Sequence, residues 1–281
     1  MVTARARGER RWPPQARHGP FSCSFRPVPR QEGPLALRIA NVQRQGDRER
    51  HEDSFAIANA ADAALRESQG LLALVADGMG GMEDGKGASQ WAAERFLQLF
   101  QEREGEDIPG WSYRSAHAVS DEVFRQFGGR SGTTLVAVHI QGERLHWLSV
   151  GDSAIFLARN GGVFQLNREH TCLNRLFLQE LEREVIEKER AVSDPDAPRL
   201  TSFIGIDRLT EVDLSLRPLT LQRGDALLLC SDGISGVLTP PELLECMAPD
   251  PEEGVRLLEG MVLEKRIIGQ DNYTGILISC Q

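Results

Sequence analysis

The residues in this 281-residue chain best suited to chemistry are acids set beside glycine, serine or asparagine. They occur in His51-Glu52-Asp53, Asp77-Gly78, Gly151-Asp152-Ser153, Ser231-Asp232-Gly233 and Asp271-Asn272. Asp-Gly is a common turn, so each motif alone says little. Taken together they offer oxygen ligands, the set that hard divalent cations such as Mg²⁺ and Mn²⁺ prefer and zinc does not. The cysteines (Cys23, Cys172, Cys230, Cys246 and Cys280) are scattered and have no C-x-x-C spacing, so neither a zinc site nor a disulfide framework is supported. A reducing cytoplasm is their simplest setting. His51 lacks a visible partner and reads as a bystander beside the acids rather than a general acid. The glycine-rich loop Asp77–Gly81 lacks the G-x-x-x-x-G-K-[ST] pattern of a nucleotide cradle.

These acids need elements to hold them. Gly70 to Ala76 is a short continuous apolar run, the mark of a strand buried on both faces, and it leads directly into Asp77. Strands are also expected over 36–42, 54–59, 133–140, 144–150, 154–159, 163–166, 214–216, 226–230 and 273–279, with Asn160-Gly161-Gly162 as a hairpin turn. Ala88, Trp91, Ala92, Phe96, Leu99 and Phe100 recur at helical spacing, and a second helix is expected over 113–127. Further helices are expected at 241–247 and 252–263, with a charged one over 180–190 in which Glu184 and Lys188 form an i,i+4 pair. Helices in consecutive pairs among many strands predict an α+β layered domain of antiparallel sheets, not a doubly wound sheet.

Net charge is −9, but residues 1–38 hold eight Arg and two acids, so the remainder is strongly acidic. An acidic body argues against nucleic acid as a main partner. No apolar run is long enough to span a membrane, and no secretory leader is evident. Residues 1–34 hold six of the fourteen prolines and little apolar periodicity; they are expected to be a disordered basic tail, most simply a dispensable extension. The folded domain is expected over 35–281, with 168–210 as an insertion between strands.

In order and spacing, the motifs resemble those of the metal-dependent serine/threonine phosphatases of the PPM (PP2C) family, particularly its compact bacterial members. The matching runs are Arg48-x-x-x-Glu52-Asp53, Val75-Ala76-Asp77-Gly78-Met79-Gly80-Gly81, Ser131-Gly132-Thr133-Thr134, Val150-Gly151-Asp152-Ser153, Ser231-Asp232-Gly233 and Gly269-Gln270-Asp271-Asn272. The resemblance covers about residues 36–280 and implies a four-layer α-β-β-α sandwich with two Mn²⁺ or Mg²⁺ ions at one end. Asp77 would bridge them, Asp232 and Asp271 would complete the first, and the Gly78 carbonyl and Glu52 would serve the second. Asp53 would stand beside this set, and Asp152 would serve a third, weaker site shared with Asp232. Arg48 would bind the phosphate. The implied reaction is hydrolysis of phosphoserine and phosphothreonine by a hydroxide bridging the metals, without a phosphoenzyme. The implied partners are phosphorylated proteins, substrates of a Ser/Thr kinase and the kinase itself, in cytoplasmic signalling. The alternative is a catalytically weak module that binds phosphoproteins on the same fold.

Three departures from the family pattern stand out. Met79 replaces the histidine of many eukaryotic members, which leaves protonation of the leaving group to another donor. Ala154 follows Gly-Asp-Ser where arginine is usual, with consequences expected for local salt bridges or the third metal. Within 168–210, the family's flap, Arg199-Leu200-Thr201-Ser202-Phe203-Ile204-Gly205 is a variant of the usual stretch, and His170 is expected to anchor the flap. Substrate choice is expected to lie there, because loops on a rigid scaffold often set specificity.

Overall fold

The structure is a computed structural model that describes residues 35–79, 82–105, 107–184 and 188–281. The expected tail, 1–34, and Gly80-Gly81 of the first acidic loop lie outside the described residues. The strands are β1 (Leu37–Arg44), β2 (Ser54–Ala58), β3 (Leu71–Ala76), β4 (Leu135–Gln141), β5 (Arg144–Val150), β6 (Ala154–Arg159), β7 (Gly162–Gln165), β8 (Asp213–Leu214), β9 (Leu219–Thr220), β10 (Ala226–Cys230) and β11 (Tyr273–Cys280). The helices are α1 (Ala63–Ser68), α2 (Gly85–Gln101), α3 (Ile108–Phe127), α4 (Cys172–Glu182), α5 (Lys188–Val192), α6 (Asp232–Ser235), α7 (Pro240–Cys246) and α8 (Pro251–Glu264).

The strands form two antiparallel sheets. One has the order β1-β11-β10-β6-β7; the other runs β2-β3-β4-β5-β8, with β9 also on β5. Side-chain alternation along each strand explains the layering. In β3, Leu71, Ala73 and Val75 point between the sheets, where they meet Ile155, Leu227 and Ile276 of the other sheet. Leu72, Leu74 and Ala76 point outward onto Ala92, Phe96 and Val119 of α2 and α3. Likewise Tyr273 and Leu277 of β11 face Leu243, Leu258 and Val262 of α7 and α8. Three apolar layers therefore separate four layers of backbone, in the expected α-β-β-α order.

Capping places the helices. The Asp84 carboxylate accepts from Gly87 N at 2.8 Å and starts α2 directly after the first acidic loop. Asp107 does the same for α3, with a proline in the first turn, and Gly128 ends α3 in the left-handed conformation at φ 60°. This cap starts α3 five residues ahead of the helix expected at Tyr113, whose apolar spacing alone gave no start signal.

The segment 168–210 differs from expectation. A single charged helix over 180–190 does not form. Thr171 caps α4, which ends by Glu182; Glu184 takes a positive φ of 56°, and α5 begins at Lys188. The break separates Glu184 from Lys188, so the expected helical i,i+4 geometry is lost. The chain leaves the helix at Arg183 and Glu184, and an i,i+4 charge pair contributes too little to prevent that turn. The segment is tied down at its far end, where Ile204 exchanges backbone hydrogen bonds with Thr133 at 2.8 and 3.0 Å. No helix among the described residues is long and apolar enough to cross a membrane.

Gly254 marks the tightest contact of α8 with its neighbours. A Cβ there would lie 2.3 Å from the Cys246 carbonyl oxygen and 2.4 Å from a Leu277 methyl. Gly254→Val is therefore expected to destabilise the fold by about 1–3 kcal/mol or more. A thermal midpoint equal to that of the unmodified chain would contradict this packing.

Candidate metal centre

The sequence-predicted acids sit close to strand ends: Asp77 and Asp152 just after β3 and β5, Glu52, Asp53 and Asp271 just before β2 and β11, and Asp232 at the start of α6 after β10. Asp77 is the first residue beyond β3. Its N–H donates to Thr134 Oγ1 at 3.0 Å, and its carbonyl accepts from Thr134 N and Thr133 Oγ1, both at 2.8 Å. The Thr134 and Ser153 hydroxyls lie 2.7 Å apart, which ties this corner to the turn that holds Asp152. Gly151 opens that turn at φ 101°, a left-handed conformation that favours glycine, and packs on Thr134. His170 clamps the same turn: its N–H donates to the Gly151 carbonyl at 2.8 Å, and its Nδ1 accepts from Gly151 N at 3.1 Å. His170 thus has a structural part in holding the Asp152 turn.

The two sheets are joined where the acids meet. Ser231, between β10 and Asp232, donates from Oγ to Asp53 Oδ2 at 2.9 Å, just before β2 of the other sheet. Ser231 Oγ also accepts from Thr274 N at 2.9 Å. Asn272 stitches the loop that presents Arg48 and Glu52. Its Oδ1 accepts from Glu52 N at 2.7 Å, and its Nδ2 donates to the Gln45 and Arg50 carbonyls at 2.6 and 3.0 Å. The sequence suggests that Asn272 holds the Asp271 loop through its own backbone; its side chain instead holds the loop opposite. Gly78 is required by close approach: a Cβ would lie 2.4 Å from the Gly85 carbonyl oxygen and 2.5 Å from that of Glu52.

The acids so gathered repel one another. Burial pushes Asp77 well above the ordinary carboxylate range, and the charges of Asp53, Asp232 and Asp152 push it further. Burial likewise raises Asp53, against the lowering effect of the neighbouring Thr274 and Ser231 hydroxyls. Asp232 is raised by burial and by Asp271. Burial and Asp232 push Asp152 up to about 7. Glu52 is raised by burial, with Arg50 and Arg48 opposing. Arg48 is half-exposed, and its Nη2 pairs with Asp271 Oδ2 at 2.6 Å.

Among the described residues, no three acidic, histidine or cysteine side chains are grouped to hold an ion as they stand. The donor set nevertheless fits divalent cations. It consists of carboxylate oxygens and one backbone carbonyl, and cations would offset the repulsion that raises Asp77, Asp152 and Asp232. Asp53 is 1% exposed, and its Oδ1 has no hydrogen-bond donor.

Several participants had no signature in the sequence. Lys86 donates from Nζ to the Asp53 carbonyl at 2.7 Å and to Ser54 Oγ at 3.1 Å. Asn167 donates to the Ser153 carbonyl at 2.9 Å and to Ser149 Oγ at 2.8 Å beneath the Asp152 turn. Both act across long sequence separations, which local spacing does not reveal. Ala154 is fully buried in the apolar layer under α6 and α7, and its side chain meets no charged partner there.

Residues 46–252 match the family model described as Protein phosphatase 2C. The chain belongs to the protein phosphatase 2C family. It is by class a protein serine/threonine phosphatase. The serine/threonine phosphatase Stp of Listeria innocua is 28% identical over 216 residues, which span 74% of this chain and 83% of that protein. The Mycobacterium tuberculosis phosphatase PstP is 33% identical over 215 residues, 74% of this chain and 40% of that longer protein. A crystal structure of the PstP catalytic domain in complex with two manganese ions has a TM-score of 0.67 at 26% identity, covering 88% of this chain and 99% of that one. The family match includes Arg48, Glu52, Asp53, Asp77, Gly78, Asp152 and Asp232. Asp271 lies beyond it and joins the site through Arg48 and Asp232.

The raised carboxyl of Asp152 fixes the sign of a pH effect. Without metal, and between its ordinary value of 3.8 and about 7, the folded chain holds a proton that the unfolded chain has released. Stability therefore falls as pH rises through this window and stays lower above it. The buried imidazoles of His139, His146 and His170 are held below their ordinary value and act in the opposite sense over part of this range, so the Asp152 contribution is read against Asp152→Asn. Between about pH 5.5 and about pH 8, the chelator-treated chain is expected to lose on the order of 1–3 kcal/mol of stability relative to chelator-treated Asp152→Asn. The same pH dependence in both proteins would contradict the crowding of acids around Asp152.

Proposed function

We propose that this chain hydrolyses phosphoserine and phosphothreonine in proteins, at a centre built from Arg48, Glu52, Asp53, Asp77, Gly78, Asp152, Asp232 and Asp271. The observation that carries the reading is that Asp77 is buried at the joined ends of both sheets against the charges of Asp53, Asp232 and Asp152. Structural acids are ordinarily dispersed or paired, and a fold that gathers several and leaves them mutually repelling favours a cationic ligand.

Asp77 would serve both cations, Asp232 and Asp271 would complete one, and Glu52 and the Gly78 carbonyl would serve the other. Asp152 would serve a third, weaker site with Asp232. Bound Mn²⁺ or Mg²⁺ would supply an acidified water and offset charge on the phosphoryl oxygens. Asp53 accepts from Ser231 and presents its unpartnered Oδ1 to this region, so it orders the centre from beneath. Arg48 exchanges its contact with Asp271 for the phosphoryl oxygens of substrate, which a guanidinium fork suits. Burial pushes the nearby Cys230 thiol far up, and His170 is engaged with Gly151, so neither is offered as a nucleophile. As the family resemblance implies, water would be the nucleophile and the product free phosphate, without a phosphoenzyme.

The substrates would be phosphorylated proteins, among them targets of a Ser/Thr kinase and the kinase itself, as signalling in the cytoplasm would require. The alternative, a phosphoprotein-binding module without turnover, is disfavoured because the full acid set is retained. Purified protein is expected to hydrolyse p-nitrophenyl phosphate and a phosphothreonine peptide with Mn²⁺ or Mg²⁺ and not with EDTA. Asp77→Asn and Asp232→Asn should each lower turnover by more than about 100-fold while the melting transition stays cooperative. Undiminished turnover in EDTA, or in Asp232→Asn, would overturn the assignment.

A further inference from the structure

The loop that presents Arg48 has two sides. One bears the Arg48–Asp271 pair; the other forms a wall of a groove of about 610 Å³ between this loop and the C-terminal end of α8. Gly46 and Gln270 form that wall. They are bound to the catalytic side, since Asp47 N donates to the Gln270 carbonyl at 2.8 Å and Gln45 Nε2 donates to the Arg48 carbonyl at 2.6 Å. The opposite wall is apolar. Leu263, Ile267 and Ile268 are 62%, 42% and 99% exposed. Single exposed apolar residues are ordinary, but three lining one groove are not.

The position of Ile267 and Ile268 sharpens the point. They lie in the short turn between Arg266, at a positive φ of 49°, and Gly269, at φ 77°. Turns favour small and polar residues, and β-branched side chains there are unusual. The turn is also held firmly. Lys265 pairs with Glu242 at 2.7 Å on the helix side, while Gly269 N and Gln270 N both donate to Asp47 Oδ2. A fixed turn that displays two isoleucines beside the phosphate-binding loop is a preformed subsite. At its edge Arg44 is matched to Glu259 at 2.6 Å, whereas no ion pair engages Arg266 among the described residues, so the rim offers a spare positive charge to an anionic chain.

We propose that this groove takes an aliphatic side chain flanking the phosphorylated residue of a substrate peptide, and so selects among phosphoproteins. The proposal rests on the phosphatase reading and adds a substrate preference to it. Continuity with the catalytic loop favours a substrate segment as occupant. An extended peptide advances about 3.3–3.6 Å per residue, so residues two to four positions from the phosphate reach about 7–14 Å from it.

The test compares two phosphothreonine peptides, one with leucine and one with serine at the flanking positions within four residues, alongside p-nitrophenyl phosphate. It uses the full chain with Mn²⁺ and the single variants Ile268→Ser and Leu263→Ser. The unmodified chain is expected to favour the leucine peptide in kcat/KM by about fivefold or more, mainly through KM. Both variants should lose that preference yet hydrolyse p-nitrophenyl phosphate at the unmodified rate. Equal kcat/KM for the two peptides with p-nitrophenyl phosphate turnover intact would overturn the groove and leave the phosphatase reading standing. No turnover of any substrate would sink both. A molecular mass that rises with concentration and falls back in Ile268→Ser, without peptide discrimination, would assign the face to a second copy of the chain and also overturn the proposal.

Discussion

The fold must hold like charges together in a poorly solvated place. Asp77 is buried and also feels the charges of Asp53, Asp232 and Asp152, while Asp232 feels Asp271 and Asp53. Carboxylates left free would separate or take up protons. The structure prevents separation with short, rigid links. Asp77 is fixed by backbone and hydroxyl contacts to Thr133 and Thr134, Asp152 by the His170 clamp, and Asp53 by Ser231. The remaining freedom is protonation, and that is where the strain appears.

This arrangement explains why the sandwich is built as it is. Strands buried on both faces are stiff, and their ends are well defined in space. Placing an acid one residue beyond β3, at the start of α6 after β10, and just before β2 brings residues far apart in sequence to one edge. The apolar layers on both sides of each sheet provide the stabilisation against which the repulsion is set.

The layering was legible in the sequence because its signals are local. The apolar run 70–76 is continuous, the helical spacing of Ala88 to Phe100 is regular, and acids follow strands. The site residues were legible as a pattern of motifs. What escaped depends on partners distant in sequence or on cap chemistry. Lys86 lies in the first turn of α2, and no local spacing marks its reach to the Asp53 carbonyl. Asn272 was read as a local loop residue, yet it holds a segment more than 200 positions away. The charged stretch 180–190 satisfied a pairing rule but not the geometry of its own chain, which turns at Glu184.

The central claim is that Asp77 and its neighbours are held protonated in part until cations take the place of protons. Calorimetric titration of Mn²⁺ at about pH 6.5, in buffers of differing ionisation enthalpy, counts the protons released per ion bound. The account predicts net proton release that is strongly reduced in Asp77→Asn. Binding without proton release, or release unchanged by that substitution, would contradict it.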